Sequence, residues 1–115
     1  MSVKRGDIVL LPFPWTDLST IKVRPALVLS DDSFNQKNND AVFLFITSKI
    51  YKGLFDFRLN KTDSNFKATG LSTASTFRIS KIITLEQKLV KRRLGYADNK
   101  LLKKVGNALK VLLNI

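Results

Sequence analysis

The sequence predicts a mostly β fold, a small SH3-like antiparallel β-barrel or roll closed by a C-terminal helix. Short apolar runs, separated by proline, glycine and polar turn residues, follow one another up to Leu85. No helical period interrupts them, so the crossover helices that a parallel sheet requires are missing. A helical period begins only after Asp98. Roughly six or seven short strands and one helix therefore fit a single antiparallel sheet.

The first strand is predicted over residues 8–11, an apolar run that follows Gly6 and Asp7. Pro12 and Pro14 come next and are expected to halt regular pairing, because proline has no amide hydrogen to donate. Residues 13–22 combine turn formers with aromatic residues, which is typical of a mobile loop, or flap.

Pro25 opens the predicted second strand, and residues 26–29 are aliphatic on both faces, as in a central strand. Residues 30–39 are polar and are interpreted as a connection. Residues 41–47 form the predicted third strand.

Apolar and polar residues alternate over residues 55–60, which read FDFRLN. This period of two predicts a half-buried strand with one solvated face. Residues 62–69 are interpreted as a turn-rich link. Residues 70–85 are rich in Ser, Thr and Ile and suit twisted strands, and Gly70 marks the point where the chain must bend.

From Asp98 onward an amphipathic helix is predicted, with Asp98 as its N-cap. Its apolar face consists of Leu101, Val105, Leu109 and either Leu112 or Leu113. Its polar positions include Lys100, Lys103, Lys104 and Lys110. Gly106 costs about 1 kcal/mol relative to alanine in a helix, and we interpret it as a point of close backbone approach.

A chain of 115 residues with 44% hydrophobic content suits one compact domain, which we place at residues 1–115. Its 20 Lys and Arg against 9 Asp and Glu give a net charge of +11 and predict a polyanionic partner. Nucleic acid is the leading candidate and an anionic membrane the weaker one. No apolar run approaches the roughly 20 residues of a membrane span, and the start lacks a secretion signal, so we expect a cytoplasmic protein.

The chain contains no histidine and no cysteine, so any catalysis must use arginine, hydroxyl and carboxylate groups. Arg24 stands between the polar loop and an apolar strand. A planar, permanently charged guanidinium mounted at such a point can grip two phosphate oxygens. The alternative is a surface arginine paired with Asp7 or Asp17.

The chain resembles the PemK/MazF toxins, the ribonuclease members of bacterial toxin–antitoxin pairs. The resemblance is carried, in order, by residues 6–9 (GDIV), the prolines at 12 and 14, residues 24–30 (RPALVLS), residues 46–48 (ITS), Gly70-Leu71, Ser75, residues 82–84 and the closing helix. Each motif is short, but their common order and spacing cover nearly the whole chain.

This resemblance implies a homodimer of β-rolls, of the CcdB/PemK-like fold, that cuts single-stranded RNA without a metal ion or other cofactor. Attack by the 2'-hydroxyl would leave a 2',3'-cyclic phosphate and a 5'-hydroxyl, and the result would be inhibited translation and growth. It also implies an antitoxin whose flexible acidic segment binds the toxin.

By the same resemblance, Arg24 and Thr47 correspond to the catalytic pair of the family, and Arg78 to an arginine that serves in some members. The carboxylate that typically stands two residues after that arginine is replaced here by Ser80. We assign RNA contacts to Phe13, Trp15, Thr16, Asp17, Ser19, Lys22, Ser48, Lys49, Ser75 and Ser80.

Several of these residues have a structural alternative. Phe13 and Trp15 suit the core or a dimer interface as well as base stacking. Thr47 and Ser48 end a strand, where hydroxyls often bond nearby backbone groups. The basic group Lys88, Lys91, Arg92 and Arg93 is interpreted as a solvated face, with electrostatic attraction of RNA as the alternative.

Cleavage by the RNA's own hydroxyl requires a base, stabilisation of charge on the phosphorane and a departing 5'-oxygen. Arg24 can stabilise the charge, and Thr47 and Ser48 can bond the phosphate. Asp17 is the candidate general base.

Two other functions remain open, a non-catalytic nucleic-acid-binding SH3-like module and a gyrase-poison toxin of the same fold. The gyrase poison is ranked last, because that mode relies on an apolar C-terminus with a tryptophan, whereas the only tryptophan here is Trp15.

Overall fold

The short apolar runs form six strands of one antiparallel sheet in the computed structural model, which describes residues 2–13 and 22–115. In chain order the elements of these residues are β1 (Asp7–Phe13), β2 (Lys22–Val28), α1 (Asp32–Lys37), β3 (Asp40–Thr47), β4 (Phe57–Leu59), α2 (Phe66–Thr69), β5 (Ser75–Glu86), a 3₁₀ turn (Gln87–Leu89), β6 (Arg92–Tyr96) and α3 (Asn99–Leu113). The strand order is β4-β5-β3-β2-β1-β6. The sheet curls into a half-barrel against which α3 packs, so the predicted mostly β roll with a C-terminal helix is confirmed.

Apolar residues line both faces of the sheet, because successive side chains of a strand point to opposite sides. On one face, Ile8, Leu27 and Leu44 join a cluster that includes Leu101 and Val105 of α3. The other face carries a second cluster, built from Val9, Leu11, Phe13, Ala26, Val28, Ala41, Phe43 and Phe45. The central strands are therefore apolar on both faces, as the sequence predicts for residues 26–29.

The first strand is longer than predicted and does not stop at Pro12. Pro12 pairs with Val23 of β2, and the ladder continues to Phe13. On its other side, β1 pairs with β6 only as far as Leu10. The missing amide hydrogen of Pro12 can face this unpaired edge, where no ladder bond is lost, as is usual for a proline in a sheet.

Two short helices, which the sequence analysis did not predict, lie in the segments interpreted as a connection and a turn-rich link. Helix α1 falls within residues 30–39, and α2 within residues 62–69. Asp31 caps α1, and hydrogen bonds from the Ser33 hydroxyl and amide hold the pKa of the Asp31 carboxyl below its usual value. Helices of six and four residues are too short to show an amphipathic period.

The alternating segment at residues 55–60 forms a strand only at Phe57–Leu59. Phe55 adopts a left-handed conformation, with φ of 72°, and so lies outside the ladder. The side chain of Asp56 is 2% exposed, because it pairs with Arg78, so the predicted solvated face is wrong at this residue. Residues 70–85, predicted as twisted strands, supply most of the single long strand β5.

Strand β6 was not predicted, because its first two residues belong to the basic group that was interpreted as a solvated face. Its pairing with β1 joins Asp7 to Tyr96 and Leu10 to Arg92. Arg92 and Arg93 are indeed exposed, but they belong to the edge strand of the sheet.

Helix α3 confirms the predicted helix and its cap. The Asp98 carboxylate accepts a hydrogen bond from the amide of Leu101 at 2.9 Å. Leu112, rather than Leu113, continues the packed face, since Leu113 is 55% exposed. Across the described residues, no helix combines the length and apolar character needed to cross a membrane.

Two glycines hold the segment around α2 against β6. Gly70 ends α2 with a φ of 72°, confirming the predicted bend, and a Cβ there would lie 2.0 Å from the Leu94 carbonyl oxygen. A Cβ on Gly95 would lie 2.2 Å from the carbonyl oxygen of Ala68. Only glycine permits both of these backbone approaches.

Gly106, by contrast, lies beside open space: a Cβ at this position would meet no heavy atom within 4 Å, so its interpretation as a point of close approach was wrong. Gly106→Ala should therefore raise the free energy of unfolding by about 0.5–1 kcal/mol, the helix propensity difference. Gly95→Ala should lower it by about 1–3 kcal/mol, because a methyl group must displace backbone. Urea unfolding of both variants measures the two effects, and equal effects would contradict the described packing.

Candidate anion site

A cavity of about 320 Å³ opens where β1, β2 and β6 meet the end of β3 and the segment that precedes β5. It is lined by Leu10, Arg24, Pro25, Thr47, Ser48, Gly70, Leu71, Ser72, Thr73, Ser75, Arg92 and Leu94. Four residues assigned from the sequence to catalysis or RNA contact are thus brought together, namely Arg24, Thr47, Ser48 and Ser75.

Strand register brings part of the cavity lining together. Leu10 of β1 pairs with Pro25 on one side and with Arg92 on the other. Directly paired residues project to the same face of a sheet, and all three line the cavity. Thr47 is the last residue of β3, and Gly70 places the following segment against Leu94 to form the facing wall.

The cavity is positively charged and has no acidic side chain among its described lining residues. Four of the six arginines in the chain are engaged elsewhere by described residues: Arg5 with the Leu29 carbonyl, Arg58 with several acceptors, Arg78 with Asp56 and Arg93 with Asp7. Arg24 and Arg92 have no hydrogen bond or ion pair to another described residue. Both of these unpaired arginines line the cavity.

The Nε atom of Arg24 is buried and has no hydrogen-bond partner among the described residues. A buried donor without an acceptor costs roughly 1–3 kcal/mol, and more when the group is charged. An anion in the cavity would supply the missing acceptor and neutralise the charge. The guanidinium of Arg24 is therefore better satisfied with an anion bound than without one.

Hydroxyl groups also line the cavity. Thr47 is 6% exposed, and its Oγ1 accepts a hydrogen bond from the amide of Lys49 at 3.2 Å. This bond is the backbone role that the sequence analysis kept open for Thr47, but it leaves the hydroxyl hydrogen available to a ligand. Ser75 instead donates its hydroxyl hydrogen to the Thr73 carbonyl at 2.9 Å, which braces the facing wall.

Arg78 does not line this cavity, and its assignment to the catalytic set stays a prediction. Its Nε lies 2.7 Å from Oδ2 of Asp56, and its guanidinium carbon lies 3.8 Å from the centre of the Tyr51 ring. The other oxygen of Asp56 accepts from the amide of Ile79 at 2.9 Å. These contacts give Arg78 a structural role between β5 and the chain that leads into β4. Ser80 is exposed and also outside the cavity.

Phe13 is 1% exposed and packs in the core, with its ring centre 4.8 Å from that of Phe45. This burial favours the core alternative for Phe13, and its assignment to RNA contact stays a prediction. Lys22 and Lys49 are exposed and do not line the cavity. The remaining assigned residues, Trp15, Thr16, Asp17 and Ser19, lie outside the described residues.

The chain is also similar to known proteins. Residues 4–113 match the family described as PemK-like, MazF-like toxin of type II toxin–antitoxin system. The chain belongs to this toxin family.

Two relatives and one solved structure show how far the similarity extends. A Staphylococcus saprophyticus protein named endoribonuclease MazF is 26% identical over 98% of this chain and 92% of its own length. A Mycolicibacterium smegmatis protein named probable endoribonuclease MazF is 33% identical over 98% of both chains. A crystal structure of MazE–MazF from Deinococcus radiodurans matches with a TM-score of 0.78 at 23% identity, covering 100% of this chain and 99% of that one.

Arg58 is a residue that the sequence analysis did not assign to the site, although it holds two cavity walls together. Its Nη1 donates to Thr76 Oγ1 at 2.9 Å and to the Lys49 carbonyl at 3.3 Å. Its Nη2 donates to the carbonyls of Ser48 and Ala74, both at 3.2 Å. The guanidinium thereby ties the turn after Thr47 to the start of β5, beyond the last pair of the β3–β5 ladder.

Arg58→Lys should lower the free energy of unfolding by about 1.5–3 kcal/mol, because one ammonium group cannot reach acceptors on both segments. Urea unfolding measures the loss, and amide hydrogen exchange at Lys49 and Thr76 locates it. Arg5→Lys is the matched control, since Arg5 donates to a single carbonyl, that of Leu29. Equal losses in the two variants would show that Arg58 does not join the walls.

Proposed function

We propose that this chain is the endoribonuclease toxin of a type II toxin–antitoxin pair and that it cleaves single-stranded RNA in the cavity around Arg24. The family membership and the relatives named endoribonuclease support the activity. The observation that supports this location is the buried, unpartnered Nε of Arg24 in a cavity with no described acidic residue. A phosphodiester supplies a negatively charged acceptor, which the described residues of the cavity do not.

The proposed reaction begins with the RNA's own 2'-hydroxyl, which attacks the adjacent phosphorus and forms a P–O bond. The bond to the 5'-oxygen breaks, solvent takes up the proton of the 2'-hydroxyl, and water donates a proton to the departing 5'-oxygen. The products are a 2',3'-cyclic phosphate and a 5'-hydroxyl. Negative charge builds on the equatorial oxygens of the phosphorane between these events. Arg24 and the hydroxyl of Thr47 donate hydrogen bonds to those oxygens, where donors fixed in advance are most effective.

The 2'-hydroxyl must lose a proton, and the described cavity residues supply no carboxylate or imidazole for this step. Asp17, the base proposed from the sequence, lies outside the described residues. The proposal therefore rests on charge stabilisation by Arg24 and Thr47.

We propose that cleavage needs no metal ion. The described cavity offers guanidinium and hydroxyl groups, whereas divalent cations that assist phosphate chemistry are normally held by carboxylates. Among residues 2–13 and 22–115, no group of three or more His, Cys, Asp or Glu side chains could hold an ion.

The proposed partners are an acidic antitoxin and a second copy of the chain, in the cytoplasm. The net charge of +11 favours an acidic partner, and related MazF structures include complexes with MazE. Ile50 and Leu54 in the loop after β3 are 71% and 80% exposed, which supports association with another chain. We propose that residues 1–115 form one toxin domain.

Arg24→Gln should lower the cleavage rate constant about 10²- to 10³-fold, because it removes the charged donor to the phosphorane. The rate is measured on a long transcript under single-turnover conditions. Arg93→Gln is the matched control, since Arg93 pairs with Asp7 and does not line the cavity. Cleavage by the Arg24 variant at the wild-type rate would refute the assignment.

An RNA with a single 2'-deoxyribose at the cleaved nucleotide should resist cleavage, because the attacking hydroxyl is absent. The all-ribose strand should be cut equally well in EDTA. Mass spectrometry of the products checks the cyclic phosphate directly. Cutting of the 2'-deoxy strand at the same bond would require a different nucleophile and would overturn the mechanism.

A further inference from the structure

The cavity contains a second arginine for which neither the family resemblance nor the reaction provides a role. Arg92 belongs to β6, on the opposite side of β1 from Arg24. It lines the cavity and has no hydrogen bond or ion pair to another described residue. Its neighbour Arg93 pairs with Asp7 at 2.9 Å instead. The two neighbouring arginines therefore differ: Arg93 forms an ion pair, and Arg92 lines the cavity.

Sheet geometry separates the two arginines. Pro25, next to Arg24, and Arg92 both pair with Leu10, from opposite sides. Two strand spacings put the Cα atoms of Pro25 and Arg92 about 10 Å apart. Arg24 itself pairs with Leu11, so the two arginines belong to strands on either side of β1.

Charge balance points to two anionic groups in this cavity. A phosphodiester in RNA carries one negative charge and pairs well with one guanidinium. The cavity presents two guanidinium groups that have no ion-pair partner among the described residues, and no described lining residue is acidic. One phosphodiester leaves one of these charges unbalanced, whereas two successive phosphates balance both.

We propose that Arg92 forms a second phosphate subsite, which binds a phosphodiester next to the one that is cleaved at Arg24. This inference rests on the proposed function and extends it, because it requires a substrate with at least two successive phosphodiesters. Arg92 anchors the RNA strand and takes no part in the bond changes. Its contribution is to substrate affinity.

The test measures binding of a non-cleavable 2'-O-methyl oligoribonucleotide by fluorescence anisotropy at salt concentrations between 50 and 200 mM. Each phosphate contact on a single strand contributes about 0.7 to the slope of log affinity against log salt. Arg92→Gln should reduce the slope by about that amount and weaken binding roughly fivefold at 0.1 M salt. Lys91→Gln is the control, because Lys91 is exposed beside Arg92 but does not line the cavity.

Steady-state cleavage separates an anchoring role from a catalytic one. Arg92→Gln should raise KM several-fold and leave kcat unchanged. A fall in kcat at unchanged KM would place Arg92 at the reacting phosphate and overturn the second subsite. An unchanged salt slope, or an equal change in the Lys91 variant, would overturn it as well.

The binding arm also separates this inference from the proposed function. A wild-type protein that binds the oligonucleotide with the Arg92-dependent slope but cleaves no RNA refutes the ribonuclease and leaves the subsite standing. A protein that cleaves RNA with an Arg92-independent slope refutes the subsite alone.

Discussion

A guanidinium with no acidic partner among the described residues, placed in a partly closed cavity, is the constraint on which the functional account depends. The Nε of Arg24 is buried without an acceptor among the described residues, and no described acidic side chain lines the cavity. A buried donor without an acceptor lowers the free energy of unfolding, and a bound anion that accepts its hydrogen bond restores it. The buried pair Arg78–Asp56 shows the opposite arrangement in the same chain, an arginine whose charge is paired with a carboxylate. Arg24 therefore differs from Arg78 in lining a cavity that has no described acidic side chain.

Much of the fold follows from short-range patterns. The apolar runs that became β1, β2 and β3, the period of α3 and its Asp98 cap are all local signals, and each was predictable. The helices α1 and α2 were missed because they are too short for a period. Strand β6 was missed because it begins with two arginines, and only its pairing with β1 makes it a strand.

Site residues that belong to a short sequence motif could be predicted. Residues whose contacts are made with partners far along the chain could not. Arg24 and Thr47 stand in motifs and do meet in the cavity. The contacts of Phe13 with Phe45 and of Arg78 with Asp56 were not predictable, because the partners lie far along the chain. Arg58 gave no signal, since most of its partners are backbone carbonyls, which no sequence pattern reveals.

The most direct test of the central claim is a crystal structure of the protein with a short RNA strand blocked by a 2'-deoxyribose at the cleaved nucleotide. The account predicts the scissile phosphate within hydrogen-bonding distance of both the Arg24 guanidinium and the Thr47 hydroxyl. A strand bound elsewhere on the surface, with its phosphates remote from Arg24, would contradict it.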